Sequence, residues 1–178
     1  MSAILCPRCG RTVRKTRSGR PVGVMKIRCP RCRYLMFDYP RPCAGMVVVK
    51  DDSVLLLRRG HRPKRGWLDL PGGFVEANED LEAAARRELR EETGLSVGAV
   101  HSLGYHWDQY LLEGFGSFPT LNFYWVTRWR SGIPRAADDA ADAEWVPFAR
   151  LSAMRRRFAW PHMTTVLRDA QRLMGEEA

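Results

Sequence analysis

The chain has 178 residues, of which 45% are hydrophobic and 28% charged, a composition typical of a soluble globular protein. Its longest apolar runs, residues 43–49 and 54–57, are too short to cross a bilayer, and the N-terminus lacks the pattern of a signal peptide. We therefore expect a cytoplasmic protein with no membrane partner. The net charge of +9 is concentrated at one end, because residues 1–44 carry eleven Lys/Arg and one acid, whereas the remainder is nearly neutral.

Four of the five cysteines form two copies of the tetrapeptide CPRC, with nineteen residues between the pairs. This spacing is typical of a four-cysteine zinc site, because two Cys-x-x-Cys turns can direct four sulfurs at the corners of one tetrahedron. Four protein ligands leave no open coordination position, so we expect a structural Zn²⁺ bound by Cys6, Cys9, Cys29 and Cys32. Two disulfides or a redox-active pair are the alternatives. The remaining Cys43 is expected to be a small buried apolar residue.

The arginines around these cysteines have two interpretations. They can form a solvated surface around a zinc ribbon, or a patch that binds polyphosphate or nucleic acid. The segment RTVRKTRSGR, residues 11–20, contains no aromatic residue on which bases could stack, so we favour the solvated surface.

After residue 40 the pattern alternates between strands and helices. Strands are predicted at residues 44–50, 53–59, 67–74, 98–107, 120–129 and 143–148, with a loop around 113–119. Helices are predicted at residues 79–93 and 160–175, where apolar residues recur at helical spacing. The fold class is therefore α/β or α+β, with helices covering a mixed sheet.

Three glutamates, Glu88, Glu91 and Glu92, fall within five residues of the first predicted helix. At helical geometry their carboxylates occupy an arc of about 100° on one face. Such a concentration of like charge weakens an isolated helix, but hard oxygen ligands at close range suit Mg²⁺ or Mn²⁺. A solvated acidic helix face is the alternative, although it accounts for neither the glycines upstream nor the fixed spacing.

The glutamates complete a longer pattern: Gly73, five residues, Glu79, seven residues, Arg87-Glu88-Leu89, one residue, Glu91-Glu92, one residue, then Gly94-Leu95. This pattern resembles the Nudix box at every specified position. The resemblance implies an α/β/α sandwich with a mixed sheet, so that the chain would consist of a zinc ribbon over residues 1–40 and a Nudix hydrolase domain over residues 41–178.

The resemblance also implies roles for the matching residues. Glu88 and Glu92 would be the main Mg²⁺ or Mn²⁺ ligands, assisted by Glu91 and by a backbone carbonyl near Gly73. Arg87 would orient a glutamate, and Glu79 would support the junction between loop and helix. The general base varies in this family and would be Glu88 itself or a carboxylate from a later loop, for which Glu113 and Glu144 are candidates.

Other residues are candidates for substrate contacts. The aromatic residues around the predicted loop can sandwich an adenine or flavin ring or belong to the core: Tyr105, Trp107, Tyr110, Phe115 and Phe118. The basic loop can contact phosphates or be solvated: His61, Arg62, Lys64 and Arg65. The remaining histidines, His101, His106 and His162, have no metal-ligand spacing.

A ribbon followed by the box resembles the group of Nudix hydrolases with an N-terminal four-cysteine ribbon, although Arg33 stands where such ribbons repeat the glycine found at Gly10. The signature of NADH pyrophosphatases is absent. We therefore expect a pyrophosphohydrolase acting on ADP-ribose, FAD or a similar nucleoside diphosphate derivative, with a homodimer possible. The alternatives are a pyrophosphohydrolase acting on nucleoside triphosphates or RNA 5′ ends, and a nucleotide-sensing regulator that binds nucleic acid.

Overall fold

The computed structural model describes residues 3–14, 26–37, 39–112 and 116–176. It divides the chain into two compact units, Met1–Pro40 and Arg41–Ala178.

The N-terminal unit contains two short antiparallel hairpins. Strand β1 (Ala3–Leu5) pairs with β2 (Thr12–Arg14), and β3 (Lys26–Arg28) pairs with β4 (Leu35–Phe37). A CPRC turn connects the strands of each hairpin. Among the described residues of this unit, the buried side chains form one small cluster: Cys6, Val13, Ile27 and Cys29. A core of this size provides little hydrophobic stabilisation, so a metal clip is physically appropriate here.

The C-terminal unit is built on a seven-stranded mixed sheet. Its strands are β5 (Arg41–Lys50), β6 (Ser53–Arg59), β7 (Leu68–Asp69), β8 (Gly72–Phe74), β9 (His101–Leu112), β10 (Gly116–Arg128) and β11 (Ala140–Pro147). The main order is β11-β6-β5-β10-β9, with β7 beside β6 and β8 beside β5. Strand β10 runs parallel to β5, and the other pairs are antiparallel.

Helices cover both faces of this sheet. Helix α1 (Leu81–Thr93) packs on the face that carries Met46 and Val48 of β5. Helices α2 (Phe148–Met154) and α3 (Met163–Glu176) belong to the cluster that contains Val47 and Val49, on the opposite face. Successive residues of β5 therefore point to two different cores, which explains its continuous apolar run. The predicted α/β/α sandwich is confirmed.

The boundaries differ from the prediction around β9 and β10. Strand β9 runs to Leu112 and β10 begins at Gly116, so the predicted loop over 113–119 is largely strand. Pro119 is tolerated inside β10 because pairing with β5 begins only at Thr120. Helix α2 was not predicted. No helix in the described part of the chain is both long and apolar enough to span a membrane.

Candidate active site

Helix α1 holds the glutamate cluster in a fixed position. The Asp80 carboxylate caps its start by accepting hydrogen bonds from the backbone N–H groups of Glu82 and Ala83, at 2.9 and 3.2 Å. Gly94 ends it in the left-handed conformation, with φ of 72°. The buried side of the helix packs against β5. Because both ends and one side are fixed, the carboxylates on the adjoining side are held at the edge of a core.

The turn before the helix lies directly against two of the glutamates. The Gly72 N–H donates a hydrogen bond to Glu92 Oε2 at 2.8 Å. A Cβ placed on Gly73 would lie 2.5 Å from Glu88 Oε1, and one placed on Gly72 would lie 2.6 Å from the Ala44 carbonyl oxygen. A side chain at Gly72 would clash with the backbone of the neighbouring strand, and one at Gly73 would displace the Glu88 carboxylate, so both positions favour glycine.

Burial disfavours the ionised form of these carboxylates. Glu92 is only 8% exposed, and burial raises its pKa to about 8, although the hydrogen bond from Gly72 acts in the opposite direction. Burial also raises the pKa of Glu88, against the attraction of the Arg87 guanidinium. A cation placed beside these side chains would restore their ionised forms, which is the electrostatic property expected of a metal-ligand pair.

Arg87 connects the acidic side chains of the helix and the loop. Its guanidinium donates to Glu79 at 2.8 and 2.9 Å, to Glu88 at 2.8 Å and to Glu91 at 2.9 Å, and it also donates to the Phe74 carbonyl oxygen. The hydrogen bond from Arg87 lowers the pKa of Glu79 to about 2. Arg87 thus ties the loop to the helix and orients Glu88.

The three glutamates do not converge on one point as the cysteines do. Within residues 3–14, 26–37, 39–112 and 116–176, the cysteines are the one group of three or more potential metal ligands with all ligand atoms within 4.8 Å. Glu91 is half-exposed and faces Arg87. Glu92 lines the main pocket of the C-terminal unit together with Gly72 and Gly73, and the Glu88 carboxylate lies against Gly73.

Two further carboxylates line this pocket, and the sequence analysis identified neither. Asp69, at the end of β7, is buried and accepts hydrogen bonds from Arg59 Nη1 at 2.7 Å and from Trp160 Nε1 at 2.9 Å. Asp139 lies on the loop before β11, and its side chain pairs with His61 at 3.2 Å.

The loop that carries Asp139 is attached to the end of helix α1. The Ala137 N–H donates to the Glu92 carbonyl oxygen at 3.0 Å, and the Arg135 N–H donates to the Thr93 carbonyl oxygen at 2.9 Å. The adjacent acids of this loop were a visible signal in the sequence, but their distance from the glutamate cluster along the chain gave no indication of their position.

The predicted base candidates lie elsewhere. Glu144 is on β11, where it pairs with Arg58 at 3.1 Å, and it does not line the pocket. Glu113 lies outside the described residues.

Aromatic rings form one wall of the pocket. Tyr110 is near Phe74, Phe118 and Trp160, with ring centroids 5.4 to 5.6 Å apart, and its contact with Trp160 is stacked. The Arg41 guanidinium lies 4.3 Å from the centre of the Phe118 ring. The predicted Tyr110 therefore lines the pocket, and the predicted Phe118 packs against its ring without lining the pocket, whereas Trp160 was assigned only to a helix.

The other predicted aromatic residues do not join this wall. Tyr105 and Trp107 lie on β9 with 58% and 62% of their surface exposed, so the interpretation as core residues is wrong for them. Phe115 lies outside the described residues.

The basic loop lies beside the pocket. Arg62, Lys64 and Arg65 line a shallow groove together with Trp160, which also lines the main pocket. The Lys64 ammonium lies 5.0 Å from the centre of the Trp160 ring. Cys43, which was expected to be a buried residue, instead lines the main pocket as a half-buried thiol, and burial raises its pKa to about 12.

A buried histidine links two elements next to the pocket. His162 Nδ1 is 2.8 Å from Asp108 Oδ2, and its Nε2 is 2.9 Å from the hydroxyl oxygen of Tyr124, a pocket residue. Burial lowers the pKa of His162, against the influence of Asp108. The neutral ring donates from Nδ1 to Asp108 and accepts the Tyr124 O–H at Nε2. This network fixes the Tyr124 ring against the wall, and nothing in the sequence indicated it.

The cysteines of the N-terminal unit have the geometry of a tetrahedral metal site. The Sγ atoms of Cys6 and Cys32, and those of Cys9 and Cys29, are 3.6 Å apart. A Zn²⁺ ion with Zn–S bonds of about 2.3 Å requires sulfurs roughly 3.8 Å apart, so the four thiols fit this ion. No cysteine forms a disulfide, so the disulfide alternative is wrong.

Comparisons with known proteins point to one family. The sequence profile of the NUDIX domain matches residues 39–169. An ADP-ribose pyrophosphatase from Methanocaldococcus jannaschii is 33% identical over 112 residues, which cover 63% of this chain and 64% of that protein. The NAD-capped RNA hydrolase NudC from Vibrio atlanticus is 36% identical over 101 residues, covering 56% of this chain and 35% of that protein. The chain thus spans between about one third and two thirds of the length of these relatives.

The same fold occurs in solved structures. A NUDIX hydrolase from Nitrosomonas europaea aligns over 97% of this chain and 90% of its own, with a TM-score of 0.63 and 21% identity. At this level of identity the similarity concerns the fold.

Proposed function

The chain belongs to the NUDIX domain family, and on this premise we propose that it hydrolyses a nucleoside diphosphate linked to another group, with ADP-ribose, FAD or a related adenine dinucleotide as substrate. Water attacks one phosphorus, the P–O bond to the bridging oxygen breaks, and the products are a nucleoside monophosphate and a phosphorylated second product. The arrangement of Glu88 and Glu92 around the Gly72–Gly73 turn, at the edge of an aromatic-walled pocket, carries this proposal. The similarity to an ADP-ribose pyrophosphatase supports it.

We assign the divalent metal to Glu88 and Glu92, with Glu91 and the Gly73 carbonyl completing the site. The donors are hard oxygens, which suit Mg²⁺ or Mn²⁺, and no cationic side chain among the described residues bonds to the buried Glu92 carboxylate. When bound, such an ion supplies neutralisation of the diphosphate charge and lowers the pKa of a coordinated water. Arg87 is the positioning residue that keeps Glu88 oriented toward the turn.

We assign proton removal from the attacking water to Asp139, a carboxylate of a later loop that lines the pocket. Its loop is bonded to the end of α1, so its position is coupled to that of Glu92. His61 lies 3.2 Å from its carboxylate and orients it. The proton moves from the water to a carboxylate oxygen of Asp139 as the new P–O bond forms.

We assign the adenine ring to the aromatic wall formed by Phe74, Tyr110 and Trp160. Flat aromatic faces hold a purine by stacking, and the Arg59–Asp69 ion pair, which also lines the pocket, presents hydrogen-bonding groups.

The four cysteines are assigned to a structural Zn²⁺. Metal analysis of the purified protein that gives about one equivalent of zinc would support this assignment.

A second candidate function is hydrolysis at the 5′ end of RNA. The groove lined by Arg62, Lys64 and Arg65 opens beside Trp160, where the next phosphate of a strand would lie. The similarity to an NAD-capped RNA hydrolase favours this candidate. A purely binding regulator is less well supported, because such a protein has no need for the complete Glu88, Glu91 and Glu92 set.

We also retain a homodimer as a proposal, which sedimentation of the purified protein would test.

The deciding experiment is a hydrolysis panel with Mg²⁺, comparing ADP-ribose, FAD, NADH, nucleoside triphosphates and 5′-capped or 5′-triphosphate RNA, with products identified by mass. Turnover of ADP-ribose or FAD to AMP, abolished in Glu92→Gln and retained in the surface control Glu176→Gln, would support the main proposal. Turnover of RNA alone would favour the second candidate, and no turnover of any substrate would contradict both.

A further inference from the structure

The two CPRC turns of the N-terminal unit have the same backbone structure. The Gly10 N–H donates to the Cys6 carbonyl oxygen at 2.8 Å, and the Arg33 N–H donates to the Cys29 carbonyl oxygen at 2.9 Å. In each turn the N–H of the first cysteine also donates a hydrogen bond of 2.9 Å to the backbone carbonyl oxygen of the residue five positions later. Gly10 and Arg33 therefore occupy equivalent positions.

This position is one that favours glycine. The φ angle is 69° at Gly10 and 60° at Arg33, in the left-handed region that disfavours residues with a side chain. The second turn nevertheless carries an arginine, held there by the surrounding bonds. A residue kept in a disfavoured backbone conformation suggests that its side chain has a use outside the fold.

The positive charge of this unit exceeds the negative charge that the unit itself contains. Five of its arginines are exposed: Arg8, Arg11, Arg28, Arg31 and Arg33. The described part of the unit contains no acidic residue, and residues 1–40 as a whole contain one, Asp38. Four thiolates around Zn²⁺ contribute about −2, which the basic side chains still exceed. The unit therefore presents a strongly positive surface, whereas the remainder of the chain is nearly neutral.

An aromatic ring accompanies these charges. Tyr34 follows Arg33 directly, and 41% of its surface is exposed. Exposed arginines two positions apart in one turn and an exposed aromatic ring match the two components of a single-stranded polynucleotide, its phosphates and its unpaired bases. The segment 11–20, which lacks aromatic residues, had suggested a solvated surface, but the exposed ring belongs to the second turn.

We propose that the second CPRC turn, with Arg31, Arg33 and Tyr34 at its centre, is a binding surface for single-stranded nucleic acid. Phosphates contact the guanidinium groups, and a base stacks on Tyr34. This binding does not depend on the hydrolase proposal, because it requires neither the pocket nor a diphosphate.

The test uses the full-length protein and a fluorescent single-stranded RNA with a 5′-hydroxyl end, which carries no diphosphate to hydrolyse. Anisotropy titrations over a range of salt concentrations give the affinity and its dependence on salt. Each arginine that contacts a phosphate contributes about 0.7 to the slope of log K against log salt for a single strand. Arg33→Gly should reduce this slope by about 0.7 and weaken binding several-fold.

Three further variants separate binding from folding. Arg33→Lys keeps the charge in the same conformation and should retain the salt slope. Tyr34→Ala should weaken binding with the slope unchanged, because stacking releases no counterions. Arg150→Gln removes an exposed arginine from the C-terminal unit and should change neither quantity.

Stability distinguishes this proposal from a structural role for Arg33. Arg33→Gly relieves the left-handed strain, so zinc content should be unchanged and resistance to unfolding equal or higher while RNA affinity falls. Unchanged affinity and slope in Arg33→Gly would overturn the proposal. The proposal would also be overturned if the loss of RNA affinity followed a loss of zinc, or if Arg150→Gln lost as much RNA affinity as Arg33→Gly. Binding of the protein to anionic vesicles but not to RNA would overturn it as well.

Discussion

Glu92→Gln is expected to stabilise the metal-free protein while it abolishes hydrolysis. Glutamine keeps an oxygen that can accept the Gly72 N–H, now 2.8 Å from Glu92 Oε2, but it cannot ionise. In the wild type at neutral pH, the buried carboxyl either stays protonated or carries a charge in an apolar environment. Both states cost free energy relative to the unfolded chain, in which the carboxyl is ionised and solvated.

The magnitude follows from the pKa of this group, which burial raises from 4.5 to about 8. Below pH 4.5 the carboxyl is protonated in both the folded and unfolded states, and no penalty arises. Between pH 4.5 and 8 only the unfolded chain ionises, so the folded state loses about 1.4 kcal/mol per pH unit. At pH 7.5 the accumulated penalty is about 4 kcal/mol, of which glutamine should recover about 2–4 kcal/mol. A domain of this size would then unfold about 5–10 °C higher.

The assay is thermal unfolding of both proteins in Mg²⁺-free buffer at pH 5 and pH 8. No chelator is added, because it would also remove the zinc. The difference in unfolding temperature should be small at pH 5 and large at pH 8, and saturating Mg²⁺ should reduce it by stabilising only the wild type. Glu176→Gln, at an exposed position in α3, is the matched control and should show no such difference. An equal difference at both pH values, or a less stable Glu92→Gln at pH 8, would refute the reasoning.

Gly73→Ala should reduce kcat/KM for the substrate by about 100-fold, since its Cβ would lie 2.5 Å from Glu88 Oε1 and displace that carboxylate, whereas Gly175→Ala, with no atom within 4 Å of its Cβ, should be harmless in the same kinetic assay. Arg87→Lys should lower kcat/KM by on the order of 10²-fold, because one ammonium cannot replace the planar guanidinium that donates to three glutamates. The circular dichroism spectrum should be unchanged, and full activity would exclude a positioning role. Tyr124→Phe removes a hydrogen bond of 2.9 Å to a buried histidine and should lower the free energy of unfolding in urea by about 1–3 kcal/mol. Zinc chelation should make four thiols reactive toward a disulfide reagent, and thiols that react equally before chelation would contradict a zinc site.

Structural features that depend only on the spacing of nearby residues were predictable from the sequence. The two CPRC pairs place their sulfurs through tight turns, and the glutamates share one face because helical geometry places residues three to four apart side by side. The apolar run over residues 44–50 likewise predicted a strand, but its burial on both faces became evident only from the two cores on either side of β5. Where neighbours in the chain are also neighbours in space, the sequence by itself determined the candidate zinc ligands and the acidic helix, whereas the sandwich was expected from the resemblance to the Nudix family.

The composition of the pocket was decided by the tertiary structure. Asp69, Asp139 and Trp160 are far apart in the chain and meet only because β7, the loop before β11 and the segment before α3 end at the same edge of the sheet. Asp108 and His162 are 54 residues apart and share a hydrogen bond of 2.8 Å for the same reason. Contacts of this kind depend on which strands pair, above all on the parallel pairing of β10 with β5, and that pairing is set by the packing of two cores rather than by any local pattern.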